Sequence, residues 1–262
     1  MKLVILTESL AEITIFSAKD EFIWKLMPDI RGRFLYLELR DKTRQEMRIA
    51  QYTEKDNSWK YQSFPWWSSI KGAKEQMLAF QHLNAPQDPS DTEVYVQEMK
   101  ADTRLWTKSR SHIVNPFFNG LMVKSFANDK EELSLLAWET GKPASFALDT
   151  EPQRLFYPSR YHYKDEYFDS LQILIERMVG ELAVKQCEYI EREGCIIISY
   201  YCMKKPELVN NILVVDSDGE VVYHQPIDKS TNGQVADGTF FVWDKRILFI
   251  KDKTHLISLS LV

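Results

Sequence analysis

Apolar and polar residues alternate along this chain in short runs, each closed by a charged or glycine-bearing turn. A unit of strand, turn and strand returns four times. It reads ITIFSAKDEFIWKL at Ile13–Leu26, VYVQEMKADTRLWT at Val94–Thr107, LSLLAWETGKPASF at Leu133–Phe146 and ILVVDSDGEVVYHQ at Ile212–Gln225. Val94, Val96 and Glu98 share one face, as a half-buried strand requires. Gly141 and Gly219 supply the positive φ that tight hairpin turns demand. Trp24, Trp106, Phe146 and Tyr223 fall at similar places after each turn, where a large aromatic suits packing of one sheet on the next.

The middle two units start 39 residues apart, and the other steps, 81 and 79, are each about twice that. A period near forty with strands in every copy predicts a β-propeller. Phe34–Tyr52 reads as strand, Arg-Asp-Lys-Thr turn, strand. Gln76–Leu83, Gly120–Phe126 and Gly194–Cys202 read as further strands, and Asn84–Asp91 is a loop. GTFFVW, RILFIK and HLISLSLV form a closing meander with turns at Asp244-Lys245 and Asp252-Lys253. Some twenty strands predict about six blades, with five or seven as alternatives. With no linker rich in Gly, Ser or Pro, residues 1–262 read as one domain. The strand Lys2–Leu6 is expected to complete the last blade and so remove an exposed edge.

One segment departs from strand periodicity. In Asp165–Gly180, Tyr167, Leu171, Leu174, Ile175 and Met178 follow the spacing of an apolar helix face, with Asp165 as N-cap and Gly180 as C′ residue. The competing reading is a strand with Leu171, Ile173 and Ile175 on one face.

Composition narrows the partners. A net charge of −5, from 33 basic and 38 acidic residues, offers no basic stripe for nucleic acid. No segment approaches the ~20 apolar residues needed to span a bilayer. Leu3–Leu6 is too short for a secretory leader, and Cys187, Cys195 and Cys202 suit reduced thiols. The expectation is therefore a cytoplasmic protein that binds neither nucleic acid nor membrane.

LLAWETGKPAS and VYVQEMKADTRLW resemble the repeats of quinoprotein-type propellers (PQQ-like or WD-like units). The stretch Cys187–Ile250 also resembles an uncharacterised bacterial family of domains of unknown function, which implies no activity. The vicinal cysteines and the acidic and Asn cluster of quinoproteins have no counterpart, so no quinone is expected.

Motifs of chemistry are sparse. Asp216-Ser217-Asp218-Gly219-Glu220 begins like a calcium loop, but Gly follows the second Asp directly and the turn accounts for every residue. His82, His112, His162, His224 and His255 are scattered without ligand spacing, so no metal or other cofactor is expected. Glu188 and Glu191 fall on opposite faces of a strand, and Asp165 and Asp169 suit a helix N-terminus. Ser109, Ser111 and His112 carry no mark of a triad, which only geometry reveals.

The candidate contact surface is aromatic and basic: Trp59, Tyr61, Phe64, Trp66 and Trp67, with Lys60, Lys71 and Lys74 nearby. If Trp66 and Trp67 lie in a strand, one indole is buried and the other is exposed beside Lys60 or Lys71. The sequence thus points to a non-catalytic binding module for a protein or small-molecule ligand. The alternative is an enzyme acting on a small molecule or saccharide at the axial funnel.

Overall fold

Alternating runs punctuated by Asp, Gly and Lys turns make the chain almost wholly strand. The computed structural model describes residues 10–53, 58–88, 90–127, 130–147, 153–230, 235 and 238–261. In chain order its first strands are β1 (Glu12–Ser17), β2 (Phe22–Pro28), β3 (Phe34–Asp41), β4 (Glu46–Thr53) and β5 (Ser58–Phe64). There follow β6 (Ser68–Lys74), β7 (Met77–Leu83), β8 (Thr92–Glu98), β9 (Thr103–Ser109), β10 (Ser111–Phe117), β11 (Gly120–Ala127) and β12 (Lys130–Leu136). Two short strands, β13 (Leu155–Phe156) and β14 (Ser159–His162), precede helix α1 (Phe168–Val179). The rest are β15 (Ala183–Arg192), β16 (Cys195–Lys204), β17 (Glu207–Val215), β18 (Val221–Ser230), β19 (Phe240–Trp243), β20 (Arg246–Lys251) and β21 (His255–Ser260).

The chain divides into two compact units. In Asp20–Arg154, three antiparallel sheets follow in chain order, β2-β3-β4-β5, β6-β7-β8-β9 and β10-β11-β12. The first two meet through Tyr36, Met47, Ile49, Phe64, Ile70, Leu78, Phe80 and Tyr95, with Phe80 stacked on Phe64 at 4.6 Å and on Tyr95 at 5.0 Å. Ala79, Val94, Val96, Leu121, Val123, Leu136 and Trp138 join the second to the third. Each such large side chain stabilises the unit by roughly 1.5–3 kcal/mol when fully buried.

The other unit, Met1–Lys19 with Leu155–Val262, holds the sheets β14-β15-β16-β17-β18 and β1-β21-β20-β19-β13. Ile197, Ile212 and Val214 pack on Phe240, Val242, Ile247, Phe249, Ile257 and Leu259 between them. On the opposite face of the first sheet, α1 buries Phe168, Leu171 and Ile175 against Ala183, Cys187, Ile198 and Tyr200. Antiparallel meanders stacked face to face are the blades of a β-propeller, the all-β class the sequence predicts. Among the described residues there are five sheets.

Several local expectations need correction. Ile13–Leu26 is no hairpin: β1 pairs with β21 and β2 with β3, because apolar alternation specifies a strand but not its partner. Lys2–Leu6 lies outside the described residues, and the strand beside β21 is Glu12–Ser17. After β12, the turn through Gly141 returns only as a single bridge, Leu136 to Pro143, since Pro143 lacks the N–H that would extend the ladder. The helix is present, but it starts later than expected. Tyr167 is its N-cap and is exposed, while Asp165 forms the preceding turn and accepts from the His162 N–H at 2.5 Å. Gly180 closes the helix in the left-handed conformation (φ 70°) as expected.

Gly141 is fixed twice over. It has φ +64°, and a Cβ there would lie 2.7 Å from the Trp106 ring. That indole donates from Nε1 to the Trp138 carbonyl, and Trp138 donates likewise to Phe117, each at 2.8 Å. Gly219, at φ +81°, faces open space. Gly219→Ala is therefore expected to cost only the left-handed backbone penalty, roughly 1–2 kcal/mol. Gly141→Ala should cost about 1–3 kcal/mol more through overpacking. Urea midpoints check this, and equal losses would contradict it.

Candidate functional site

The first strands of the three sheets in Asp20–Arg154 share one irregularity. Register slips between Ile23 and Lys25 in β2, between Ile70 and Gly72 in β6, and between Ile113 and Asn115 in β10. Each bulge turns one residue out of the ladder: Trp24, Lys71 and Val114. The three strands are neighbours, with β6 between β2 and β10. Trp24 consequently stands 59% exposed.

Behind Trp24, β3 carries a buried ion pair. Arg40 donates from Nε to Glu38 Oε1 at 2.9 Å and from Nη2 to the same oxygen at 2.5 Å. Its remaining bonds go to the carbonyls of Trp66 and Ser68, across on the next sheet. Glu38 Oε2 accepts from the Ile70 N–H at 2.9 Å and the Ser69 hydroxyl at 3.1 Å. Lys25 Nζ donates to the Ile70 carbonyl at 2.9 Å. Three charged side chains from β2 and β3 thus grip the backbone from Trp66 to Ile70.

The same guanidinium lies 5.0 Å from the Trp66 ring and 6.0 Å from Trp24. Trp66 meets Trp67 edge-on at 6.5 Å, and Trp67 is 46% exposed. Phe22 extends the strip, edge-on to Trp24 at 5.7 Å with Lys42 above it at 4.9 Å. Aromatic faces and cations are therefore interleaved, with the buried Arg40 behind Trp24 and Trp66 and Lys42 over Phe22, an arrangement that holds the rings in place by their quadrupoles.

Of the residues singled out from the sequence, Trp66 and Trp67 come together here, and Lys71 follows them as the bulge residue of β6. Trp59 and Lys60 do not: they lie at the far end of β5, where Trp59 packs on Tyr52 at 5.0 Å. Tyr61 sits beneath Arg48, Phe64 is in the core, and Lys74 pairs with Glu139 at 2.9 Å. The expected burial of one of Trp66 and Trp67 is wrong. Both occupy a turn between β5 and β6, so strand alternation does not apply; Trp66 is half-buried and Trp67 exposed. Pro65, directly before them, was the available signal. Trp24 and Arg40 were missed because nothing in sequence links β2 and β3 to the Trp66 turn.

Other clusters are accounted for locally. Ser68 Oγ lies 3.0 Å from His82 Nδ1, but it is fully buried and shared with the Tyr95 hydroxyl at 3.1 Å. His112 is engaged by Gln81 at 2.7 Å and Thr92 at 3.3 Å, and among the described residues no serine bonds its ring. Glu188 is buried and accepts from Gly238 and Thr239, while Glu191 is exposed on the opposite face. The Asp216 carboxylate receives the Asp218 and Glu220 N–H groups, so its turn is closed from within. Burial pushes the Cys187 thiol up to about 12, which leaves it inert. Among the described residues no three His, Cys, Asp or Glu side chains are placed to hold a metal, and no helix is long and apolar enough to cross a membrane.

In the other unit, Glu181 accepts from the Tyr200 hydroxyl at 2.7 Å, and that hydroxyl lies 2.8 Å from His224 Nε2. Burial draws the Glu181 carboxyl up, but bonds from Lys204, Tyr200 and Cys202 outweigh it and hold it below its ordinary value. His224 lines a shallow cavity of about 320 Å³ with Leu10, Glu12 and Tyr223.

No protein-family model matches the chain, and no curated protein does. Among solved structures, the β-propeller domain of the Trilobed protease from Pyrococcus furiosus is 10% identical over 94% of this chain and 96% of that one, with a TM-score of 0.33. A duf4221 family member from Bacteroides vulgatus is 8% identical, with 96% of each chain covered and a TM-score of 0.33. TolB from Acinetobacter baumannii is 8% identical with the same TM-score, and the chain spans 55% of its length. At such values the likeness carries nothing about activity; the fold class rests on the sheets themselves.

Two outcomes follow from the electrostatics. Glu38→Gln leaves Arg40 buried without its counterion and should cost about 3–5 kcal/mol. Glu139→Gln removes a pair whose carboxylate is exposed and should cost less than about 1 kcal/mol. Comparable losses in urea titrations would contradict the assignment. Burial also holds the His82, His112 and His224 imidazoles below their ordinary value. The unfolded chain then takes up protons first, so this stability is full above about pH 6.5 and is lost as pH falls below it. The urea midpoint should drop from pH 7.5 to 5.5, and drop less in His224→Gln; an unchanged midpoint would contradict this.

Proposed function

We propose that this protein is a non-catalytic binding module whose contact surface is the indole strip Trp24, Trp66 and Trp67. One observation carries the reading: Trp24 and Trp67 keep 59% and 46% of their surface exposed, beside a charged clamp that fixes the backbone under the Trp66 turn. Exposed indoles on a fixed support suit binding, because tryptophan anchors dominate contact energies and little ordering remains to be done on association. The repeat units then serve as quinoprotein-like blades without a quinone. The partner is a protein or a small molecule met in the cytoplasm, not nucleic acid or a membrane.

The second reading is an enzyme acting on a small molecule or saccharide. What favours it is the Glu181–Tyr200–His224 chain, which orients an imidazole at the rim of a cavity. Its site lies on different sheets from the indole strip, so variants separate the two.

The test uses the full chain immobilised and challenged with extract from its source, with captured partners then titrated individually. Trp24→Ala/Trp67→Ala should weaken partner binding by roughly thirtyfold, about 2 kcal/mol. Trp59→Ala should change it less than about twofold. Undiminished binding by the double variant, with a wild-type melting profile, would overturn the proposal.

A further inference from the structure

The indole strip carries more positive charge than it neutralises. Glu38 is the carboxylate at the junction of β2, β3 and β6, and Arg40 takes one of its oxygens while backbone and Ser69 take the other. Lys25 lies opposite Glu38 in the β2–β3 register and feels its charge, but among the described residues neither Lys25 nor Lys71 forms an ion pair of its own. Among the described residues the Lys25 Nζ hydrogen bond goes to the Ile70 carbonyl, at 2.9 Å. Lys71 has no hydrogen bond or ion pair among the described residues, although the bulge in β6 places it in the peptide unit that begins at that same carbonyl. The Lys25 ammonium thus rests on the peptide group from which the Lys71 side chain springs one residue later. Trp24, the bulge residue preceding Lys25, stands exposed beside them.

Like charges brought together and partly desolvated repel: burial, then the Lys71 charge, lowers the Lys25 ammonium from its ordinary value, and the Glu38 charge offsets this only in part. The nearby pair Lys124–Glu131, at 2.7 Å, shows the contrasting case of a lysine with its own carboxylate. An anion from outside the chain would supply what the junction lacks.

We infer that Lys25 and Lys71 form an oxyanion-binding site beside Trp24, selecting a carboxylate or phosphate carried next to an aromatic or apolar group. The ammonium groups hold the anion by charge-assisted hydrogen bonds, and the indole face takes the apolar part. The inference rests on the reading of this strip as a contact surface and adds the chemistry of what it contacts.

Phenyl phosphate and phenylacetate are the probes, and benzyl alcohol is their neutral counterpart. Tryptophan fluorescence and lysine εCH₂ resonances of the full chain report binding. At least one anion should bind saturably, about tenfold more tightly than benzyl alcohol, and weaken with added salt. Which anion binds more tightly separates phosphate from carboxylate. Lys71→Met should remove most of that preference without changing the melting profile, and Lys25→Met should do the same where it folds. Lys60→Met, at the far end of β5, should have no effect. Equal affinities for anion and alcohol, an inert Lys71→Met, or no saturable binding of either anion would overturn the inference. Loss of partners by the Trp24/Trp67 variant would remain intact in each of those cases, so the two readings fail separately.

Discussion

The junction of β2, β3 and β6 depends on one charged grip. Glu38 takes the Ile70 N–H, Lys25 takes the Ile70 carbonyl, and Arg40 takes the carbonyls of Ser68 and Trp66. Such a pair is a poor source of net stability, since removing two charges from water costs about as much as their attraction returns. What it does supply is position. Each bond runs from β2 or β3 to backbone on the neighbouring sheet, so the entry to β6 is set relative to β3 by directed contacts as well as by apolar packing. The turn that holds Trp66 and Trp67 inherits that setting.

Around this grip the aromatic and cationic groups fall into place. The guanidinium that bonds the Trp66 carbonyl also lies over the Trp66 and Trp24 rings, and the bulge before Lys25 turns Trp24 outward. A strand without that bulge would send Trp24 and Lys25 to opposite faces. Fold and candidate site are therefore one construction: the irregularities that weaken the β2 and β6 ladders are the features that present indole and ammonium groups.

Much of the fold was legible in sequence, because alternation and turn residues are local signals. The β3–β4, β8–β9 and β17–β18 hairpins and the β19–β20–β21 meander pair as their patterns indicate. Partner choice was not legible where the chain leaves a sheet, which is why Ile13–Leu26 divides between two sheets. The more telling repeat, Ile23-Trp24-Lys25, Ile70-Lys71-Gly72 and Ile113-Val114-Asn115, was hidden because each bulge breaks the period of two. Arg40 looked like part of an exposed turn. Both faces of β3 are buried, Leu35, Leu37 and Leu39 on one side and Tyr36, Glu38 and Arg40 on the other, and sequence alone does not show that a charged face meets another sheet. For the site, the types Trp and Lys were readable and their company was not. Lys71 lies on β6, the strand next to the β2 strand of Trp24, whereas Trp59 is carried away along β5.

The central claim is that the Glu38–Arg40 pair positions the indole strip rather than stabilising the fold. The double variant Glu38→Met/Arg40→Met separates those roles, because apolar side chains of similar size can fill the junction without directing the Trp66 and Ser68 carbonyls. Urea stability should return to within about 1 kcal/mol of the native protein, given that buried pairs are often replaceable at no loss. Backbone hydrogen exchange and indole ¹⁵N relaxation at Trp66 and Trp67 should meanwhile show a turn that has become mobile. A double variant with native stability and an equally rigid turn would contradict the claim.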